Sequence, residues 1–266
     1  MAIVADTHVH LYKCYDLNLA FSELFRNLDR RAAEAGSVVQ SRAVKAAFLA
    51  ERQDCDFFEN LENGRLDGQL GEFKVDRIAG HGCMRITAKD DQLFLFAGRQ
   101  SSTLERIEVL GLAMSGTVPD GLTAFDTIRR IKDLGGVPVV AWAFGKWLFG
   151  RGKVVRRLVD AFKAGEILLG DSSMRPAIWP EPGLMKLARR KGIAVVAGSD
   201  PLPFAGEEQM MASCATIFDA NLDTLHPLVS ARAILAGVGS MPAVSGGRAG
   251  VLDVLRRRRG AGAKKT

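Results

Sequence analysis

Two histidines one residue apart, His8 and His10 in "VADTHVHLYKCYD", follow a short apolar run and an aspartate, Asp6. In an extended chain alternate side chains share a face, so the two imidazoles point the same way, with Cα atoms on the order of 6.6 Å apart. Ring nitrogens at that separation can converge on one ion at about 2.0 to 2.1 Å. Asp6 falls one pleat earlier on the same face, where it is expected to orient a ring N–H. A second apolar run, "AVVAGSDPLPF", ends at Asp200 and its prolines. A carboxylate there would complete a donor set for a divalent ion and accept a proton as general base.

Four basic residues, Arg52, Arg99, Lys146 and Arg175, follow predicted strands or the short turns after them. Guanidinium and ammonium groups beside a metal suit a phosphate or carboxylate, so the four are the candidate substrate-binding residues. The competing reading is that they form salt bridges with Glu51, Glu108 or Asp171.

These groups need elements to position them. Short runs rich in Val, Ile and Ala at 2–5, 44–50, 107–113, 137–143, 167–169 and 193–197 read as buried parallel strands. Helical patterns at 17–35, 123–134, 153–164, 182–191 and 207–219 alternate with them, and another lies near 228–236. The segment 72–99 breaks the alternation and reads as an antiparallel meander. Polar residues gather at the C-terminal ends of several strands, which describes the mouth of a barrel. The expected fold is therefore α/β, a distorted TIM-like (βα)7–8 barrel with an inserted meander. No glycine-rich nucleotide motif occurs, which removes the main support for a nucleotide-binding fold.

Residues 1–250 are expected to form one domain, with 251–266 a short helix and a basic flexible tail. The chain of 266 residues, 47% apolar, is long enough to bury a large core. No apolar run approaches the roughly 20 residues of a membrane span, and no signal-peptide pattern opens the chain, so a cytoplasmic protein is expected. The four cysteines are scattered, without a C-x-x-C pair. The net charge of +6 is matched by the six positive charges of Arg256 to Arg259, Lys264 and Lys265. Such an end usually lies in solvent, and it is the one place where contact with nucleic acid is considered.

"ADTHVHL" resembles the first-strand motif of the PHP (polymerase and histidinol phosphatase) metal-dependent phosphoesterases, shared with the wider amidohydrolase-like barrels. In order along the chain, "RIEVLGL" is similar to the strand carrying the PHP metal-bridging glutamate, "DLGGVPVVAWA" to the segment ending in Ala-His-Pro, and "VVAGSDPLP" to the final Gly-Ser-Asp-x-His. The resemblance implies a metal-dependent hydrolase acting on a small phosphoester. It implies a zinc, manganese or iron site of His8, His10, Glu108 and Asp200, with Glu108 and Asp200 as the catalytic carboxylates. Three expected histidine positions instead hold Arg52, Trp142 and Leu202. The site is accordingly expected to be mono- or dinuclear. The alternatives are a PHP-like barrel that binds without catalysing, and an amidohydrolase-like enzyme acting on a carboxylate or amide.

Overall fold

The computed structural model describes residues 2–36, 43–78, 82–143, 145–237 and 241–262. Its strands form two mixed sheets. The larger joins β1 (Ile3–Val9), β2 (Val44–Leu49), β3 (Lys74–Arg77), β4 (Cys83–Ala88), β5 (Asp91–Phe96), β11 (Cys214–Phe218) and β12 (Ala243–Gly246) in the order β12-β11-β1-β2-β5-β4-β3. The smaller joins β6 (Gly98–Ser102), β7 (Glu108–Leu112), β8 (Val137–Ala141), β9 (Leu168–Ser172) and β10 (Val195–Gly198) in the order β10-β9-β8-β7-β6. The helices are α1 (Leu17–Ala35), α2 (Phe57–Glu62), α3 (Ala124–Asp133), α4 (Phe149–Ala161), α5 (Gly183–Arg190), α6 (Pro227–Leu235) and α7 (Val251–Gly262).

The apolar core follows from strand alternation. Ile3 and Ala5 of β1 face the space between the sheets and meet Phe48, Phe96, Leu110, Val139 and Val196 there. Val4, on the other face, packs under α1 with Phe21, Leu24 and Leu28. Val109, Val140 and Leu169 form the outer layer of the smaller sheet, beneath Ile128 of α3, Leu158 of α4 and Met185 of α5. α1 starts where Asp16 accepts the Leu19 amide at 3.1 Å, the expected N-cap bond.

A continuously hydrogen-bonded (βα)7–8 barrel is not present among the described residues. β7 runs antiparallel to both β6 and β8, and β11 antiparallel to β1. The meander exists as β3, β4 and β5, but β5 pairs parallel with β2, so it extends the larger sheet. The two sheets adjoin at two seams. At one, Glu51 N–H donates to the Gly98 carbonyl at 3.1 Å and Gln100 N–H to the Glu51 carbonyl at 2.8 Å. At the other, Asp200 N–H donates to the His8 carbonyl at 2.9 Å.

The helix expected at 207–219 is a single 3₁₀ turn, Glu207–Met210, followed by β11. Arg256 to Arg259 lie on α7, the short helix expected from residue 251; Arg256 and Arg259 are exposed, whereas Val254 and Arg257 are buried. Among the described residues, no helix is long and apolar enough to cross a membrane.

Candidate metal centre

Strict alternation would put Asp6, His8 and His10 on one face of β1, and the strand departs from it. Val4 and Val9 pack in the same layer although they are five positions apart, an odd step that strict alternation would put on opposite faces. The register against β2 shifts between Asp6 and Val9, and the extra residue of this bulge resets the alternation. His8 and His10 thereby turn away from the layer of Val4.

Asp6 does not orient a histidine ring. Its fully buried carboxylate accepts the backbone amides of His8 at 3.1 Å, Ser199 at 2.9 Å and Ala212 at 2.8 Å, as well as the Ser199 hydroxyl. It ties β1 to the segments after β10 and before β11. Burial pushes its carboxyl above the usual range, and the Ser199, His8 and Ala212 hydrogen bonds oppose the shift.

The His8 and His10 Nε2 atoms stand 3.1 Å apart, and Asp200 Oδ1 lies 3.6 Å from the first and 3.7 Å from the second. Both imidazoles are buried, at 4% and 3% exposure. Among the described residues, these three are the group of histidine, cysteine, aspartate and glutamate side chains whose ligand atoms come together. Two donors at about 2.05 Å in a tetrahedral shell lie about 3.3 Å apart, so the observed spacing fits one ion with little movement. Burial first, then the neighbouring His8 ring, push His10 down to about 3, so its ring is neutral at pH 7. A neutral imidazole keeps one ring nitrogen with a lone pair that can bind an ion, and the His10 Nε2 faces His8 and Asp200.

Asp200 reaches the histidines through local backbone geometry. Its φ is 50°, in the left-handed region that non-glycine residues seldom occupy and that Asp tolerates better than most. Two residues earlier, Gly198 passes so close to β1 that a Cβ there would lie 2.4 Å from the His8 nitrogen and 2.6 Å from Asp6 Oδ1. Only glycine fits this approach.

Gln100, which carries no metal motif in the sequence, also belongs to the centre: its Oε1 lies 3.1 Å from His8 Nε2. β6 places it there as the strand crosses from one sheet to the other. A cavity of about 430 Å³ opens at the same strand, lined by Gln100, Glu51, Arg99, Thr117 and Arg130 among others.

The remaining candidates are dispersed. Glu108, at the first position of β7 opposite Ala141, pairs with Lys146 and stands outside the His8, His10 and Asp200 group. Lys146 is correspondingly engaged with a carboxylate. Arg99 donates to the Cys55 carbonyl at 2.6 Å and to Asp56 at 3.1 Å, bracing the turn before α2 while its flank lines the cavity. Arg175 is turned inward. Fully buried, it makes a bidentate pair with Asp171 at 2.9 and 2.6 Å and donates to the Trp179 carbonyl at 2.7 Å, so no donor faces the mouth. Arg52 stays half-exposed, bonded to Asp54 at 3.1 Å. Tyr12 stacks on His10 with ring centres 5.5 Å apart, and the Arg52 charge acts on the His10 ring against its protonation. His226 is exposed and paired with Asp223, and His81 lies outside the described residues.

No family model matches the chain, and no curated protein sequence matches it either. Among solved structures, PsfC from Pseudomonas syringae aligns with a TM-score of 0.56 over 98% of this chain and 97% of its own, at 15% identity. This chain is similar in fold to PsfC. Endonuclease Q from Pyrococcus furiosus aligns with a TM-score of 0.49 at 14% identity, over 92% of this chain and 58% of its own. A two-domain protein from Bacteroides vulgatus, described as containing a predicted PHP-like metal-dependent phosphoesterase, aligns with a TM-score of 0.49 at 12% identity, over 97% of this chain and 69% of its own.

Proposed function

We propose that the protein is a PHP-like, metal-dependent phosphoesterase with a reduced, mononuclear site, built on a barrel opened along its two seams. The observation that carries this reading is the convergence of two buried imidazole nitrogens and one carboxylate oxygen from opposite ends of the sequence. A divalent ion held by His8, His10 and Asp200 would supply Lewis acidity and lower the pKa of water in its coordination sphere toward about 7. Asp200 has a second oxygen that can accept a proton from that water. Gln100 offers a carbonyl oxygen beside His8. Arg52 can hold an anionic group and stabilise charge developing on it, since its guanidinium remains partly open to solvent. The cavity of about 430 Å³ meets this centre at Gln100 and is large enough for a small substrate, although His8, His10 and Asp200 do not line it.

A second reading, a binding module without catalysis, is favoured by the pairing of Glu108 with Lys146. That pairing withdraws the carboxylate that the family resemblance assigns to the metal. Elemental analysis of purified protein, combined with hydrolysis of generic phosphomonoesters, phosphodiesters and amides after addition of zinc, manganese or iron, separates the two. The expected result is about one ion per chain and phosphoester hydrolysis, both lost in the His8→Ala, His10→Ala double variant. Metal bound without turnover selects the binding module. Protein that takes up no metal and hydrolyses nothing refutes the metalloenzyme.

A further inference from the structure

The last helix reaches the back of Asp200. On α7, Val254 and Arg257 are three residues apart and share a buried face, whereas Arg256 points outward. Arg257 is 7% exposed and makes a fork against Glu207, with Nε donating at 2.8 and 3.0 Å and Nη2 at 2.7 Å. Its Nη1 donates to Ser173 Oγ at 3.1 Å, and that hydroxyl donates to the Ser199 carbonyl at 2.6 Å. Nη2 also lies 3.5 Å from the Asp200 carbonyl. Glu207 in turn accepts the Leu202 amide at 3.0 Å. One guanidinium thus fixes the backbone before, at and after Asp200.

Asp200 is also where the backbone is strained, at φ 50°. Such conformations persist when the surroundings over-determine them. A buried ion pair is a poor source of net stability because desolvation offsets much of the attraction. Its contribution here is geometric. Resting on the metal-site reading, we propose that Arg257 is a positioning residue, which holds the 199–202 backbone so that the Asp200 carboxylate completes the donor set of His8 and His10.

Cobalt(II) titration of the full-length protein, followed by its visible absorption, tests this without reference to turnover. Wild type is expected to develop d–d bands. Arg257→Ala is expected to bind cobalt on the order of 10- to 100-fold more weakly, with altered bands, and added guanidinium ion is expected to restore part of the loss. Arg257→Lys, which keeps the charge and not the fork, is expected to fall between the two and serves where the alanine variant does not fold. A folded variant at position 257 with wild-type cobalt affinity and spectrum overturns the positioning role alone. Wild-type protein that binds no cobalt removes the metal reading, and this inference with it.

Discussion

Glu51, two residues beyond β2, has 3% of its surface exposed, and its carboxylate accepts the Phe58 amide at 2.8 Å while Arg99 Nη1 stands 3.6 Å away. Burial outweighs both partners and pushes the carboxyl up to about 7. Between its ordinary value near 4.5 and about 7, the folded protein binds a proton that the unfolded chain has released. Stability from this group is therefore complete at low pH and is lost as pH rises through 7. Glu51→Gln keeps an oxygen for the Phe58 amide and cannot ionise. It is expected to be more stable than wild type at pH 8, by up to about 3 kcal/mol, and to lose that advantage at pH 5. Urea denaturation at the two values measures it, and an equal difference at both would exclude Glu51 as the source. The histidine pair was legible in the sequence because two residues is the strand period. Gln100 was not, since an amide carries no ligand signature until β6 sets it beside His8. The inward turn of Arg175 onto Asp171 is likewise invisible in sequence order, which cannot separate a guanidinium at a mouth from one paired inside.

At the scale of elements, the sequence identified α1, α3, α5 and α6 to within about two residues, because their apolar positions recur with the helical period and cover a core. The existence of β1 to β5 and β7 to β10 is equally clear in the sequence, that of β6, β11 and β12 is not, and neither is strand direction. β7 and β8 are both short, apolar and buried, and composition does not distinguish antiparallel from parallel neighbours once both faces are covered. β11 was read as helix because Met210, Met211, Cys214 and Phe218 mimic a helical stripe, and pairing with β1 overrides that pattern. The approach of β10 to β1 makes the most local demand. Gly198→Ala would press a methyl group onto the His8 nitrogen and Asp6, backbone and buried carboxylate that cannot give way. A loss of about 1 to 3 kcal/mol is expected, together with weaker metal binding as Asp200 moves off the histidines. Chemical denaturation and metal titration of the same variant check both, and a stable variant with unchanged affinity would mean that the seam is looser than its geometry implies.

For the whole molecule, the consequence of the site lies in where its ligands come from. His8 lies in β1 of the larger sheet and His10 directly follows that strand, whereas Asp200 follows β10 in the smaller. An ion held by all three would cross-link the two sheets at a seam that backbone hydrogen bonds only partly close. The apolar layer between them is shared, with Ile3, Phe48 and Phe96 from one side against Leu110, Val139 and Val196 from the other, so neither sheet can open alone without exposing it. Unfolding is accordingly expected to be one cooperative transition. Tryptophan fluorescence follows the smaller sheet, because Trp142 and Trp147 sit in its outer layer and Trp179 packs edge-on against Trp142. Far-ultraviolet circular dichroism follows the entire chain. Metal at about 100 times its dissociation constant adds about 2.7 kcal/mol, enough to raise the midpoint by roughly 5 to 10 °C. Both probes should shift together, and neither should shift in the His8→Ala, His10→Ala variant. If metal instead moved the dichroism midpoint and left the tryptophan transition in place, the ion would be acting within the larger sheet alone, and Asp200 would not be among its ligands.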